Sequence, residues 1–515
     1  MNKWLKYSFL LAISAISISS CQHEQATPAP APVNVDLANI AFTQDDIVQN
    51  SFGGLGVEWG AYEDTDKLLE DGWDRVIKHM DHLGAARIRL MINYDWFCQN
   101  FDNKGNKDKN DDTWTYNFTN KYARNMIDIL EYCQTHQIDV ALGAWNVIGT
   151  LDGTDVWSMM DEVTSDVRWA KITADTLDFL INKKGFSCIK WFVNSNEPNL
   201  TGSSTSSKNY NNTYAKWEQG VLNVRNALDN IGLTNIGIIG GDTTGYDGCK
   251  EYLLNIAKSK TMRHKVADYG AHLYLSNIAI DRGNMMADVQ SLYSQIKEND
   301  PNLGDSIQAD IWEAGLLDGK TPLDCQKAIG TTDYAVRMVD YTIQALASGV
   351  NGVVYWDFDD AMHFMYSLNT TTPKEWGMFS SLAEASSKMQ ELRPWYHSSA
   401  LLCHLIKKGN KIYSPLQNNN ELDNSFRSLA TRNDDGSLAG FVGVNAGRTT
   451  VTKTFYMDEE TSGDKLYIYI FNEESCRFDE EGYLMPSYEI DGSLNKKITL
   501  DIPKTTAVVV SNVRL

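Results

Sequence analysis

Eight short apolar runs recur along the middle of this chain, each followed by a longer stretch with helical period. The runs are Phe52–Glu58, Ala86–Ile92, Val140–Asn146, Ile189–Asn194, Ile236–Gly241, Ala267–His272, Ile307–Trp312 and Val350–Trp356. Near-continuous apolar strands are what a parallel sheet covered on both faces requires. After the first run, Leu69, Trp73, Val76, Met80 and Leu83 recur at three- and four-residue steps and make one helical stripe. Strand and helix alternating eight times predict a (β/α)8 TIM barrel, placed at residues 51–408. An open doubly wound sheet is the alternative, but it often begins with a glycine-rich phosphate turn. Phe52-Gly53-Gly54-Leu55-Gly56 leads into Val57-Glu58-Trp59 rather than a helix, so it is a weak match to a nucleotide site.

From residue 409 to 515 the texture changes. Ser425–Thr431, Leu438–Val444, Thr450–Tyr456, Lys465–Phe471, Lys497–Ile502 and Thr506–Val513 alternate or run apolar, with turn residues between them. This predicts a C-terminal β-sandwich. Val33, Val35 and Leu37 also alternate, so the segment 34–50 is expected to add one strand to that sandwich before the chain enters the barrel.

The first residues carry Lys3 and Lys6, then an apolar run from Phe9 to Ile18, then Ser19-Ser20-Cys21. The run is too short to span a bilayer and has the layout of a secretory signal. Its cysteine resembles that of bacterial lipoprotein signals, which implies cleavage, lipidation of Cys21 and an outer-membrane location, facing the cell surface or the periplasm. An ordinary secretory signal over residues 1–21 is the plainer alternative. Residues 22–33, with Pro28-Ala29-Pro30-Ala31-Pro32, read as an extended tether. Loss of the two lysines makes the formal charge of −21 more negative still. So acidic a chain is not expected to bind nucleic acid, or to meet a membrane other than through the lipid. The seven cysteines after Cys21 lie far apart without metal-ligand spacing and read as buried small hydrophobes, with one disulfide left open. No metal or cofactor is expected, and the protein is expected to be a monomer.

In a barrel the C-terminal strand ends share one mouth, where active sites form. Strand four ends at Asn196-Glu197-Pro198, and the proline cannot continue a ladder. Strand seven ends at Trp312-Glu313. Other strand ends contribute Glu58 and Trp59, Arg89, Trp145 and Asn146, His272 and Tyr274, and Trp356, with Trp96, Asp357 and Asp359 as weaker candidates. Carboxylates, amides and tryptophans suit a polyol ligand such as a glycan. Two strand-end glutamates are the minimum equipment for glycoside hydrolysis. Asp102–Asp112 fails the calcium-loop spacing at Lys104 and reads as a solvated loop.

Asn196-Glu197-Pro198, Glu313 and the strand-eight aromatic resemble the clan A glycoside hydrolases. The start at Phe52-Gly53-Gly54, Gly377-Met378-Phe379 with Arg393-Pro394-Trp395-Tyr396, and the sandwich are most similar to families 30 and 39, with family 5 next. The resemblance implies a retaining O-glycosyl hydrolase acting on β-linkages of a polysaccharide or oligosaccharide, with internal cleavage expected. It makes Glu197 the acid/base and Glu313 the nucleophile. It places Asn196 on the sugar 2-hydroxyl, Arg89 and Tyr274 on Glu313, His272 beside them and Trp356 under the sugar. Glu58, Trp59, Trp145 and Asn146 are expected at subsites. Structural roles remain the alternative for each: strand-end glutamates, an internal salt bridge for Arg89, core packing for His272 and Tyr274. A non-cleaving carbohydrate-binding lipoprotein and a transglycosylase are the competing functions.

Overall fold

The computed structural model describes residues 39–60, 72–94, 97–99, 115–119, 121–146, 164–199, 210–322, 325–360, 375–379, 392–415 and 426–515. The expected signal with Cys21, the expected tether, the alternation at Val33–Leu37, and Leu69, Trp96 and Asp102–Asp112 lie outside the described residues. So do the side chains of Trp145 and Asn146.

Eight parallel strands close into a barrel in chain order. They are β1 (Gly54–Glu58), β2 (Arg87–Asn93), β3 (Asp139–Asn146), β4 (Ile189–Val193), β5 (Gly237–Thr244), β6 (Asp268–Leu275), β7 (Gln308–Leu316) and β8 (Gly352–Tyr355). β8 pairs with β1 to seal the ring. β5, β6 and β7 run past their expected ends. Each passes through a polar residue, Asp242, His272 or Glu313, and its backbone goes on pairing beyond it. Helix Gly72–Leu83 buries Val76, Met80 and Leu83 against the outer wall, as its stripe requires.

The barrel interior is filled by Met91, Ala141, Val193, Ile239, Trp312 and Val354, with Trp191 against them. At its base the Arg87 guanidinium pairs with Asp310 and lies 5.1 Å from the Trp191 ring and 5.8 Å from that of Trp312. Gly53 and Gly352 face that guanidinium so closely that a Cβ on either would collide with it. The glycines at the start of β1 therefore make room for an arginine rather than for a phosphate.

Most of the remaining described strands form a seven-stranded sheet and a three-stranded sheet, and the rest make two short hairpin-like pairs. The N-terminal segment supplies two strands, not one. Asn39–Phe42 runs parallel to Val451–Met457 in the small sheet, and Ile47–Gln49 pairs antiparallel with Lys411–Tyr413 at the edge of the large one. The strands Lys411–Tyr413 and Tyr488–Asp491 were too short and too polar to stand out in the sequence. All seven cysteines after Cys21 are free, and all but Cys476 are buried.

The large sheet is buried on both faces. Phe426, Ala430, Phe441, Ile468, Val508 and Val510 belong to the core between the two sheets. Leu429, Val442, Val444, Tyr469, Ala507 and Val509 pack into the barrel's core. Period-two alternation thus splits each strand between two cores. A buried ion pair crosses the same interface: Arg427 grips both carboxylate oxygens of Asp340, on the barrel helix Thr332–Ala347, and donates to the Ile280 and Asp281 carbonyls at 3.2 Å. Removing one partner of such a pair strands a buried charge. Asp340→Ala should lower stability by about 3–5 kcal/mol in urea unfolding. A loss within about 0.5 kcal/mol, typical of a surface site, would show that the pair does not tie the sandwich to the barrel.

Candidate active site

The end of β4 is shaped by backbone and side-chain ties. Asn194 accepts from Trp169 Nε1 at 3.2 Å. Asn199 clamps Thr244 at the end of β5, donating to its carbonyl at 2.8 Å and accepting from its amide at 3.0 Å. Between them the Glu197 amide donates to the Asp242 carbonyl at 3.0 Å. Glu197 and Asp242 both have left-handed backbones, φ +43° and +53°. Such conformations are uncommon for residues with a Cβ and cost about 1–3 kcal/mol unless the surroundings enforce them.

β-Bulges set the facing residues. On β7, Ile311 pairs with Ala271 and Glu313 with His272, so Trp312 is the extra residue. Trp312 can then fill the interior while Glu313 still reaches the mouth. On β5, Gly241 pairs with Gly270 and Thr243 with Ala271, so Asp242 is the extra residue.

The Arg89 guanidinium, fully buried, joins the parts. Nη1 donates to Glu58 and, at 2.8 Å, to Glu313. Nη2 donates to Asn196 Oδ1 at 2.6 Å and to Asp242 Oδ2 at 2.9 Å. Tyr274 Oη donates to Glu313 Oε2 at 2.7 Å. His272 Nε2 lies 2.9 Å from Asp242 Oδ1, and its Nδ1 lies 3.2 Å from Glu197 Oε1 and 3.3 Å from Glu313 Oε2. One oxygen from each glutamate and one His272 nitrogen all fall within 4.8 Å of one another. Distance alone would let a cation sit there, but Arg89 already serves Glu313 and the His272 ring lies against both carboxyls.

This fold is shared with solved glycoside hydrolases. A family 30 endoxylanase from Clostridium papyrosolvens C71 superposes with a TM-score of 0.55 at 13% identity, over 92% of this chain and 99% of its own. A family 39 β-xylosidase from Caulobacter crescentus gives 0.59 at 14% identity, over 92% and 99%. A family 39 glycoside hydrolase from the gut symbiont Bacteroides cellulosilyticus WH2 gives 0.55 at 15% identity, over 91% and 82%. No family model matches the sequence, and no curated protein is significantly similar to it.

Asn196, Glu197, Arg89, His272, Tyr274 and Glu313 thus come together as the sequence suggested. Trp356 follows β8, its amide donating to the Ala314 carbonyl beside Glu313 at 3.1 Å, and it keeps 8% of its surface exposed. Two placements differ from expectation. Glu58 lies beneath the mouth as a buried partner of Arg89. Trp59 points the other way, as period two demands, into a buried cluster with Trp73, Tyr132 and Phe358, and has no surface to offer a sugar. Asp357 and Asp359 are also buried.

Two residues escaped the sequence reading. Asp242 was hidden because Gly240-Gly241 looked like the end of β5. Trp376, whose ring meets Tyr274 edge-on at 5.6 Å, comes from a segment without periodic pattern.

Burial and charge act differently on the two glutamates. Burial raises Glu313, and the charges of His272 and Arg89 only partly offset it. Burial also opposes ionisation of Glu197, but the hydrogen bond and charge of His272 prevail and hold it below the usual range. Glu197 keeps 21% of its side chain exposed against 5% for Glu313. Burial alone would discharge His272, yet Asp242 and then Glu313 push it up to about 10. Asp242 stays low because Arg89 and His272 outweigh its burial.

Burial pushes Glu58 from 4.5 up to about 8, even with Arg89 beside it. Its folded value is raised, so the folded state keeps a proton that the unfolded chain releases. That contribution to stability is complete below about pH 4.5 and is lost as pH rises to about 8. Glu58→Gln should flatten this part of the stability–pH curve, measured by urea unfolding. An unchanged slope would place the proton elsewhere.

Proposed function

We propose that the protein is a retaining glycoside hydrolase that cleaves β-glycosidic bonds in a polysaccharide or oligosaccharide. The observation that carries this is the closeness of the two glutamates at the barrel mouth. Retaining enzymes hold their carboxyl groups about 5–5.5 Å apart, whereas inverting enzymes leave about 6.5–9.5 Å for a water. One oxygen of Glu197 lies within 4.8 Å of one oxygen of Glu313, which suits the shorter spacing of a retaining enzyme.

In this reading Glu313 attacks the anomeric carbon while Glu197 protonates the departing oxygen. Water, activated by Glu197, then releases the sugar from Glu313. Arg89 and Tyr274 fix the Glu313 oxygens in place for the attack. Asn196 gives its Oδ1 to Arg89, which turns its amide donors toward a sugar hydroxyl. Trp356 offers an aromatic face beside the same centre. The endoxylanase and β-xylosidase names of the structural neighbours make xylose-containing β-glycans the first substrates to test. Internal cleavage is the expected mode, and it would release mixed oligosaccharides.

Glu197→Gln should lower turnover of an unactivated β-glycoside about 10²–10⁴-fold, and Glu313→Gln at least as much. Proton NMR of the first product should show the β-anomer. Unimpaired turnover in either variant, or an initial α-anomer, would sink the assignment. Export as a lipoprotein anchored at Cys21 suits an enzyme that meets polymers outside the cell. Radiolabelled palmitate should enter the expressed protein, and Cys21→Ala should abolish the label.

A further inference from the structure

Under the glycosidase reading, on which this inference rests, Tyr274 matters because its Oη donates to Glu313 Oε2 at 2.7 Å. A donor on that oxygen favours the charged carboxylate that attacks the sugar. A phenol ring can sit in any of several staggered rotamers, so its aim is set by what packs against it.

Two residues bound that ring. The first is Gly315, which pairs with Tyr274 across β6 and β7, just as Glu313 pairs with His272. Glu313 and Gly315 face the same way by period two, and so do His272 and Tyr274. The tyrosine ring therefore leans back over Gly315 to reach Glu313. A Cβ at Gly315 would lie 2.8 Å from Tyr274 Cε1 and 2.9 Å from Cδ1, so the missing side chain is what leaves the ring this path. The second is Trp376, whose ring meets Tyr274 edge-on with centroids 5.6 Å apart. Trp376 is 2% exposed and has no face to offer a sugar. It is nonetheless held on several sides. Its amide and that of Gly377 donate to Asp360 Oδ1 at 2.9 and 2.7 Å. Arg393, which precedes the helix Pro394–Leu405, grips the Asp360 carboxylate at 3.0 and 2.6 Å. Lys320 Nζ lies 5.7 Å from the centre of the indole. A line of contacts thus runs from Arg393 through Asp360, Trp376 and Tyr274 to Glu313.

We propose that Trp376 and Gly315 are positioning residues that together aim the Tyr274 hydroxyl at the nucleophile. Neither touches the sugar, and each acts through the tyrosine. The bulk of Trp376 stops the ring from tilting away from Glu313. The bare backbone of Gly315 lets the ring come close enough for the hydrogen bond to form. An aliphatic residue at 376 would open a gap beside the ring, and any side chain at 315 would push the ring off its path.

Double-mutant cycles test this, because a residue that acts only through Tyr274 has nothing left to do once the hydroxyl is gone. The full chain is assayed on xylan and on 4-nitrophenyl β-glycosides of xylose, glucose and galactose. Tyr274→Phe should lower kcat about 10–100-fold, the usual worth of a hydrogen bond to a charged group. Trp376→Leu and Gly315→Ala should each lower kcat about 10-fold with KM within about 3-fold, since the lost contact is to the nucleophile and not to the sugar. Trp376→Phe should keep most of the turnover, because its ring still meets the tyrosine. In the Tyr274→Phe background, Trp376→Leu and Gly315→Ala should cost no more than about 2-fold further. Full additivity there overturns the proposal, and so does undiminished turnover in either folded single variant. Crystal structures of Gly315→Ala and Trp376→Phe, the smallest changes, read the ring without any substrate. Tyr274 Oη should leave hydrogen-bond distance of Glu313 in the first and keep it in the second. An unmoved ring in Gly315→Ala overturns the proposal even if Trp376→Leu does not fold. If the unaltered protein cleaves none of these substrates while the ring moves as expected, the glycosidase reading falls and the aiming of Tyr274 at Glu313 stands.

Discussion

The buried guanidinium of Arg89 is the contact on which the mouth of this barrel depends. Bringing a cation into a dry site costs several kcal/mol unless partners surround it. Here two nitrogens meet four acceptors, from Glu58, Glu313, Asn196 and Asp242. A lysine could not do this, since a point charge lacks the planar fork. Arg89 and His272 supply two positive charges against four carboxyls, those of Glu58, Asp242, Glu197 and Glu313. Two carboxyls can be neutralised by charge, and the other two keep their protons more tightly. Asp242 and Glu197 are the pair held low, and Glu58 and Glu313 the pair pushed up. Burial raises Glu58 and Glu313, whereas Arg89 and His272 outweigh it at Asp242 and His272 outweighs it at Glu197.

How these groups meet depends on breaks in strand regularity. An unbroken strand would put Trp312 and Glu313 on opposite faces. The bulge on β7 lets one fill the interior and the other reach the mouth. The bulge on β5 does the same for Asp242. Such breaks leave little mark in a sequence. Apolar runs show where strands lie, but they end at the first polar residue, and β5, β6 and β7 continue through theirs. Glu313 was legible because it follows an apolar run directly, and Glu197 because a proline follows it. Asp242 was not, because two glycines precede it. Trp59 was misplaced for a simpler reason: strand alternation sends it and Glu58 to opposite sides.

The wider architecture was more legible, because buried area writes itself into composition. The eight runs are mainly apolar since each strand is covered by helices outside and side chains within. The strands of the large sheet read as almost continuously apolar for a related reason. One face meets the small sheet and the other meets the barrel. The second N-terminal strand, Ile47–Gln49, was missed because it lies at the sheet edge and is not fully buried. It still couples the domains: the chain passes from the small sheet to the large one and then directly into β1.

The depth of the two glutamates links this architecture to the proposed chemistry. Glu313 is packed under Arg89, His272 and Tyr274, so a ligand can dry its surroundings only slightly further. Glu197 lies higher, with more of its side chain in water. A sugar seated over the mouth would cover Glu197 and remove the water that helps keep it ionised. Its proton affinity would rise while that of Glu313 changed little. On this argument a bound sugar favours the protonated form of Glu197, the state that donation to a departing oxygen requires, while Arg89 and Tyr274 keep their hold on Glu313.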